Sequence, residues 1–551
     1  MSKLNEAGLE LKADVLVIGG GPAAAWAAIA AAEDGAKVVI ADKGYLGTSG
    51  AFAASTSGAK VVPPIAELRD PVKFERYAMG GFLSQHSWCD RILDVTFERA
   101  PKIYEWGGYE VPNYGAKGGG YGGGLQGPET MRIMRKKIVE LGVKILDQSP
   151  ALELLVDGEG AVAGARGYQR QEDRPWTVKA AATILASGGC AWLSKSMGCN
   201  TNTGDGLLMT VEAGGELSSM EFSAHYAPAA THSSCTKSGQ YNRMTYYDEN
   251  DNEIPGLVRD GHRITSAIAK ALLKGKVFVK IDKPDTKNPD VRRQLQLGQP
   301  NFHASLERGG LKPFEEKFEI TLNLEGTVRG VGGIRIVNED CGTTVPGLYA
   351  AGDAATRELI SGAFTGGAGP NMTWVTGSGN ISGRAAAAYA KKLGPKASER
   401  EVHGVGQTGL VTKDETAQPY EANAVVKGVQ DEVFPYDKFM FRTEEGILRS
   451  LGKLEALWKS VQGKPLQDTP QHLIRSREAV SVLAAARWAY FAGLERKETR
   501  GMHKRVDYPA TDPNQRHYLA VGGLDKLWTR PEAVPEEVVA KPESLKEAAH
   551  V

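Results

Sequence analysis

Gly19, Gly21 and Ala24 stand in a G-x-G-x-x-A spacing, and Asp42 follows at roughly the 20-residue distance of a ribose-binding acid. These types in this order can hold a dinucleotide. The first glycine permits a tight turn, the second lets a pyrophosphate reach the backbone, and a small third residue lets a helix pack closely on a strand. Pro22 and Ala23 stand at the entry to the helix whose N–H groups and partial positive charge would face the phosphates. Asp42 stands where a carboxylate takes a ribose hydroxyl, with Lys43 beside it. A second candidate lies far along the chain. Residues 361–371, "SGAFTGGAGPN", hold four glycines and no charge. A chain that gives up side chains in this way lets its backbone approach something.

The elements that must position these residues are legible around them. Residues 15–18 read as a short apolar strand, 23–33 as a strong helix former, and 38–41 as a second apolar strand ended by Asp42. This is a βαβ unit, the context in which a glycine fingerprint means nucleotide binding. The loop at 44–58, "GYLGTSGAFAASTSG", is small and rich in glycine and hydroxyls. Thr48, Ser49, Gly50 and Ser55 could offer N–H and O–H donors to a ring edge. Further on, Pro346-Gly347 makes a turn, 348–351 a buried strand, and Gly352-Asp353 follows. "TILASGG" (183–189) reads as another strand, and "NTNTGDG" (200–206) places Asp205 in a Gly-Asp-Gly turn. Residues 430–461 and 473–497 carry helical spacing, and 400–425 are mixed and polar, as a connector would be.

Bulk properties exclude several classes. The chain has 551 residues, with 66 Lys+Arg against 66 Asp+Glu. That balance gives no electrostatic case for nucleic acid or an anionic membrane. Cys89, Cys190, Cys199, Cys235 and Cys341 form no C-x-x-C pair. This argues against a disulfide framework, an internal iron–sulfur cluster or a metal site. The N-terminal residues show no signal-peptide pattern and no long apolar run follows, so a cytoplasmic protein is expected.

Taken in order, "VLVIGGGPAAAWAA", "DKGYLGTSG", "TGDGLLMTVEAGGELSSMEF", "VGGIRIV", "PGLYAAGDAA" and "ETRGMHKRVDYP" resemble the succinate dehydrogenase / fumarate reductase flavoprotein superfamily. The resemblance covers most of the chain and is weaker over 57–127 and 223–327. It implies an α/β fold: a Rossmann-like FAD-binding domain split into 1–222 and 328–400, an inserted α+β capping domain at 223–327, and a C-terminal helical domain at 401–551. It implies FAD as cofactor, with Gly352 and Asp353 at the ribitol. It also answers what residues 361–371 approach. Their glycines, with Gly369, Pro370 and Asn371 at a helix start, would bring N–H groups to the pyrimidine edge of the flavin, where fixed dipoles favour the negative charge of the reduced ring. Members with covalently linked flavin carry a histidine in the loop that here spans 44–58. None occurs there, so noncovalent FAD is expected.

The resemblance also shows what is missing. Members acting on dicarboxylates carry a clamping arginine that falls here on Thr365 and a histidine that falls on Val328, with Arg329 one position along. A further histidine falls on Tyr226, with His225 one place early. The bidentate guanidinium that usually grips a carboxylate is therefore absent at its expected place, and Phe364, Thr365 and Gly366 are expected to form a smaller, less charged wall. The family supplies its proton through an arginine at the head of a capping-domain helix. Arg259, His262 and Arg263 all lie near that place, with Arg263 directly before the apolar run, and His225, Tyr226 and His232 lie in the segment entering the cap.

The expected activity is FAD-dependent hydride transfer to or from a C–C bond of a small organic substrate other than succinate or fumarate. Two alternatives stand beside it: an alpha-type subunit resembling that of adenylylsulfate reductase, and a cyclic-ketone desaturase resembling ketosteroid dehydrogenase. No haem motif, cluster motif or second full glycine fingerprint is present. Electrons are therefore expected to pass to or from an external partner, an iron–sulfur protein among the candidates. A homo-oligomer remains open.

Overall fold

Strand β1 (Leu9–Ile18), helix α1 (Pro22–Glu33) and strand β2 (Val38–Ala41) run in immediate succession. β1 pairs in parallel with β2 and, on its other side, with Arg174–Leu185. It begins six residues before the apolar run at 15–18, because Leu9 to Ala13 pair with Trp176 to Ala180. In this computed structural model the described residues are 4, 6–55, 58–113, 125–254, 261–365, 368–411, 413, 416–464 and 469–537.

The main sheet continues from β2 to Lys144–Leu146 and, beyond Arg174–Leu185, to Val162–Gln169, Ala151–Val156 and His403–Gly404. Leu348–Ala350 adds in parallel to the end of Arg174–Leu185, with Leu348 opposite Thr183. Two segments far apart in sequence, around 183–189 and 348–353, are thereby held side by side at the same sheet edge as the turn after β1.

α1 is buried from Pro22 to Ala31. One face meets the sheet and the other meets the long helix Ala368–Leu393. The two helices approach closely enough that a Cβ on Gly379 or Gly383 would lie 2.7 or 2.4 Å from the carbonyl oxygens of Ala23 or Ala27. That contact explains both the alanine content of α1 and the glycines inside its partner. The long helix starts three residues before Asn371, ahead of the position read from the sequence.

Residues 226–324 fold back on a second sheet. Tyr226–Ala230, Phe318–Leu324, Val277–Ile281 and Met244–Tyr247 pair antiparallel in that order, and helices Gly261–Leu272, Pro289–Gly298 and Pro300–Arg308 accompany them. Phe318–Leu324 alternates buried and half-buried residues, as expected of a sheet with one core face.

The C-terminal part is helical over Ala422–Val433, Tyr436–Phe439, Glu444–Val461 and Pro470–Glu495. The run read as helical over 430–461 is interrupted at Pro435, which cannot continue a helix. After Glu495 the described residues hold no further α-helix, only a short 3-10 turn at Pro513–Gln515. His517–Gly522 and Trp528–Ala533 form a hairpin that pairs with Leu217–Ser218, so a third, antiparallel sheet ties residues 517–533 to the segment that enters the second sheet. The buried Arg477–Glu212 pair makes a second tie. Among the described residues no helix is long and apolar enough to cross a membrane, and no group of His, Cys, Asp and Glu could hold a metal ion.

Candidate active site

The turn after β1, the loop after β2, the strand end at Ala186–Gly188 and the second sheet together enclose a cavity of about 430 Å³. At one end lies a cradle of backbone. Gly19 sits at φ +127°, and a Cβ there would lie 2.3 Å from the Ala186 carbonyl oxygen. Gly21 is the N-cap of α1, has φ −77°, and offers no side-chain cap, so the N–H groups of the first turn remain open to the cavity. A Cβ on Gly21 would meet nothing nearer than the Cα of Gly50, at 3.6 Å. Two glycine backbones thus face each other across a slot at a helix N-terminus, the arrangement that binds phosphate.

Asp42 lines the same end. Its carboxylate accepts a hydrogen bond from the Ser49 hydroxyl, and burial raises its pKa against that bond. Ser49, Gly50 and Ser55 also line the cavity, whereas Thr48 is exposed and lies outside its lining. Lys43 reaches the rim, but its ammonium donates to Thr203 Oγ1 at 2.7 Å, Asp205 Oδ2 at 2.8 Å and Glu478 Oε1 at 2.9 Å. Asp205 is therefore engaged in tying the loop to the helical region.

Gly352 adopts φ +63° beside Ala23, and the next residue, Asp353, lines the cavity. The Asp353 carboxylate accepts from Arg357 Nη2 at 2.9 Å, and burial raises its pKa. Asn371 lines the cavity, while Pro370 faces a separate small pocket with Lys60 and Arg76. Gly369 lies in the first turn of Ala368–Leu393. Asn371 Oδ1 and Ser187 Oγ are buried without a hydrogen-bond partner among the described residues, and both residues line the cavity.

The other end is charged. Glu325 is fully buried and accepts from Lys237 Nζ at 2.8 Å, Arg329 Nη1 at 3.0 Å and Thr236 Oγ1 at 2.5 Å. Burial alone would raise its pKa. The Lys237 ammonium and the Arg329 guanidinium outweigh burial and hold it well below the usual carboxylate range. Lys237 also lies 3.2 Å from Cys199 Sγ; its own pKa is raised, because Cys199 and Glu325 outweigh burial. His225 lines the cavity with Nε2 3.8 Å from Glu325. Burial, helped by Arg329, lowers its pKa to about 3, so the ring is neutral near pH 7.

The other proton-handling candidates occupy different settings. Tyr226 is buried, and its hydroxyl donates to the Val433 carbonyl at 2.6 Å, so that group is committed to the helical region. Arg259 lies outside the described residues. His262 and Arg263 lie in the first turn of Gly261–Leu272. His232 contacts the Ser305 carbonyl and does not line the cavity.

The less charged wall expected from Phe364 and Thr365 is not what the cavity shows. Phe364 packs in an apolar cluster with Leu83, Phe222 and Met502, and the Thr365 hydroxyl is spent on the Arg329 carbonyl at 2.7 Å. Neither lines the cavity; Gly366 lies outside the described residues. Val328, Arg329 and Lys237 form the wall instead. Sequence reasoning missed Lys237 and Glu325. Glu325 had one available signal, its i,i+4 spacing to Arg329 just after an alternating strand.

Residues 14–107 and 116–276 match the FAD binding domain family, and residues 432–542 match the fumarate reductase flavoprotein C-terminal family. The chain carries an FAD binding domain and a fumarate reductase flavoprotein C-terminal domain. It is an FAD-dependent oxidoreductase, and the open helix N-terminus, the glycine slot and the unpartnered polar atoms of Ser187 and Asn371 fit that cofactor. An uncharacterized FAD-dependent oxidoreductase of Methanocaldococcus jannaschii is 25% identical, covering 94% of this chain and 97% of its own length. The L-aspartate oxidase of Mycobacterium bovis is 26% identical, covering 93% and 96%. Among solved structures, E. coli quinol fumarate reductase superposes with a TM-score of 0.77 at 19% identity, over 97% of this chain and 99% of that one.

Proposed function

We propose that this flavoprotein moves a hydride between noncovalently bound FAD and a C–C bond of a small organic substrate that is neither succinate nor fumarate. FAD, when bound, accepts or supplies the hydride. The chain does the rest. The cradle of Gly19, Gly21 and α1 would hold the pyrophosphate, Asp42 the ribose and Asp353 the ribitol. His225, Thr236, Ser238, Tyr241 and Gln299 of the 223–327 region line the cavity opposite the cradle and would shield a bound flavin from water. Arg263, at the head of Gly261–Leu272, remains the first candidate to deliver a proton to substrate, because His225 is neutral at pH 7 and Tyr226 is committed elsewhere.

The observation that carries the substrate reading is the engagement of Thr365 and Val328. Both are buried, and neither presents a cation where dicarboxylate-using relatives are expected to clamp. A dicarboxylate would find one cationic wall, at Arg329 and Lys237, rather than two opposed ones. Each lost charge-assisted bond weakens binding by about 1.5–3 kcal/mol. The holoprotein, reduced by light or dithionite, is expected to be reoxidised negligibly by fumarate. Saturable reoxidation at sub-millimolar fumarate would sink the reading. Electron exchange would use an external partner, for which an iron–sulfur protein is the leading class.

A further inference from the structure

We propose that Arg329 and Lys237, fixed by Glu325, form an oxyanion subsite that takes one anionic group of the substrate. This rests on the functional reading above and deepens it by naming a substrate feature. Lys237 and Arg329 bring two cations to the wall, where Glu325 meets both, and behind it Arg357 pairs with Asp353. His225 adds no charge near pH 7. The remaining cap-side lining is uncharged: Thr236, Ser238, Tyr241, Thr265 and Gln299. One positive charge is therefore in surplus, and it lies at the wall of the cavity.

The geometry says which groups express it. Arg357 is fully buried, its Nη2 donates to Val328 O at 2.8 Å and to Asp353, and its Nε and Nη1 have no partner among the described residues; it is not among the residues that line the cavity. Lys237 is held against Glu325 and Cys199 with its side chain 8% exposed. Arg329 is 22% exposed, lines the cavity and uses Nη1 on Glu325. A guanidinium carries five donors in a planar fork, so one edge can be fixed by Glu325 while the other meets a carboxylate or a sulfur or phosphorus oxyanion bidentately. Glu325 acts here as a positioning residue: it aims two cations at one place and cancels only one of them.

The test uses FAD-loaded full-length protein, titrated separately with acetate and with sulfate against chloride at matched ionic strength, and followed by the flavin absorption spectrum. A saturable change with acetate or sulfate beyond the chloride control is expected, and the anion that gives it distinguishes a carboxylate from a sulfur oxyanion. Arg329→Leu should weaken that binding by roughly ten- to hundredfold. Glu325→Gln, which keeps shape but removes the opposing charge, should tighten it, an outcome that a merely structural role would not give. Arg329→Lys keeps the charge and loses the fork, and carries the test if the leucine variant does not fold; it should weaken binding by an intermediate amount. No saturable response in the parent protein overturns the proposal, as does an affinity within about threefold of the parent in the Arg329 variants. A protein that takes up no FAD would instead overturn the functional reading on which the proposal stands.

Discussion

The two ends of the cavity are built by opposite means. The cradle comes from one continuous stretch, Leu9 to Ser55, in which β1, α1 and β2 follow one another with short turns. The charged wall comes from three separate places: His225 to Lys237 at the entry to the second sheet, Glu325 to Arg329 at its exit, and Asp353 after the parallel strand Leu348–Ala350. Lys237 and Glu325 meet across 88 residues. The cradle binds through backbone and needs an absence of side chains. The wall acts through side-chain charge and needs the second sheet folded in register. The first end should therefore fail through single methyl groups, and the second through single charges.

The largest expected effect breaks the cradle. Gly19→Ala would place a Cβ 2.3 Å from the Ala186 carbonyl oxygen at φ +127°. Backbone strain and overpacking together cost about 2–6 kcal/mol, and denaturant unfolding should show that loss with or without FAD. Gly21→Ala sharpens the contrast. Its φ of −77° suits alanine, and its Cβ would meet nothing nearer than 3.6 Å. The apoprotein should unfold like the parent, while FAD affinity falls by at least about tenfold, the equivalent of one charge-assisted hydrogen bond to phosphate. Equal FAD affinity in Gly21→Ala would move the pyrophosphate away from this slot.

The same contrast decides what the amino-acid sequence discloses on its own. Gly19, Gly21 and Asp42 are legible because their meaning lies in spacing within one unit. The FAD-binding architecture is legible for the same reason, since each strand brings its own apolar run. The wall is not legible. Lys237 sits in an ordinary polar stretch, and nothing local distinguishes it from a solvated lysine. Thr365 and Val328 present no charge to the cavity, whereas Arg329 reaches it from the short helix Gly326–Arg329, paired at i,i+4 with Glu325. Asp205 is a contrasting case. Its Gly-Asp-Gly turn suggests cofactor contact, and the structure spends it on Lys43.

A smaller effect tests the charge at the wall through pH. The His225 pKa is lowered to about 3, by burial first and Arg329 second. Its unfolded value is about 6.5. Between those two values the unfolded chain binds a proton that the folded chain refuses, so this residue makes stability fall as pH drops from about 6.5 toward 3, at up to about 1.4 kcal/mol per pH unit. His225→Asn removes the titrating group. Its unfolding free energy, compared with the parent at pH 7 and pH 5, should be less sensitive to acid. An identical pH dependence would show that the ring takes up its proton in the fold as readily as in the unfolded chain, and would weaken the charge count at the wall.

The smallest effect belongs to Thr48, and it separates motif from contact. Thr48 lies in the glycine- and hydroxyl-rich loop that the family pattern assigns to the flavin, between residues that do line the cavity. Its neighbour Ser49 donates to the buried Asp42 carboxylate. Thr48 is exposed, and its hydroxyl makes only a 3.3 Å bond to the Tyr45 carbonyl within the same turn. A surface hydroxyl engaged so weakly contributes within about 0.5 kcal/mol. Thr48→Ala should therefore leave both the unfolding midpoint and the FAD dissociation constant near the parent values, while the backbone of Ser49 and Gly50 keeps the loop's role. A loss of FAD affinity beyond about threefold would mean that the loop closes on the cofactor and brings Thr48 inward. The cradle would then extend past Gly50 and depend on side chains as well as on backbone.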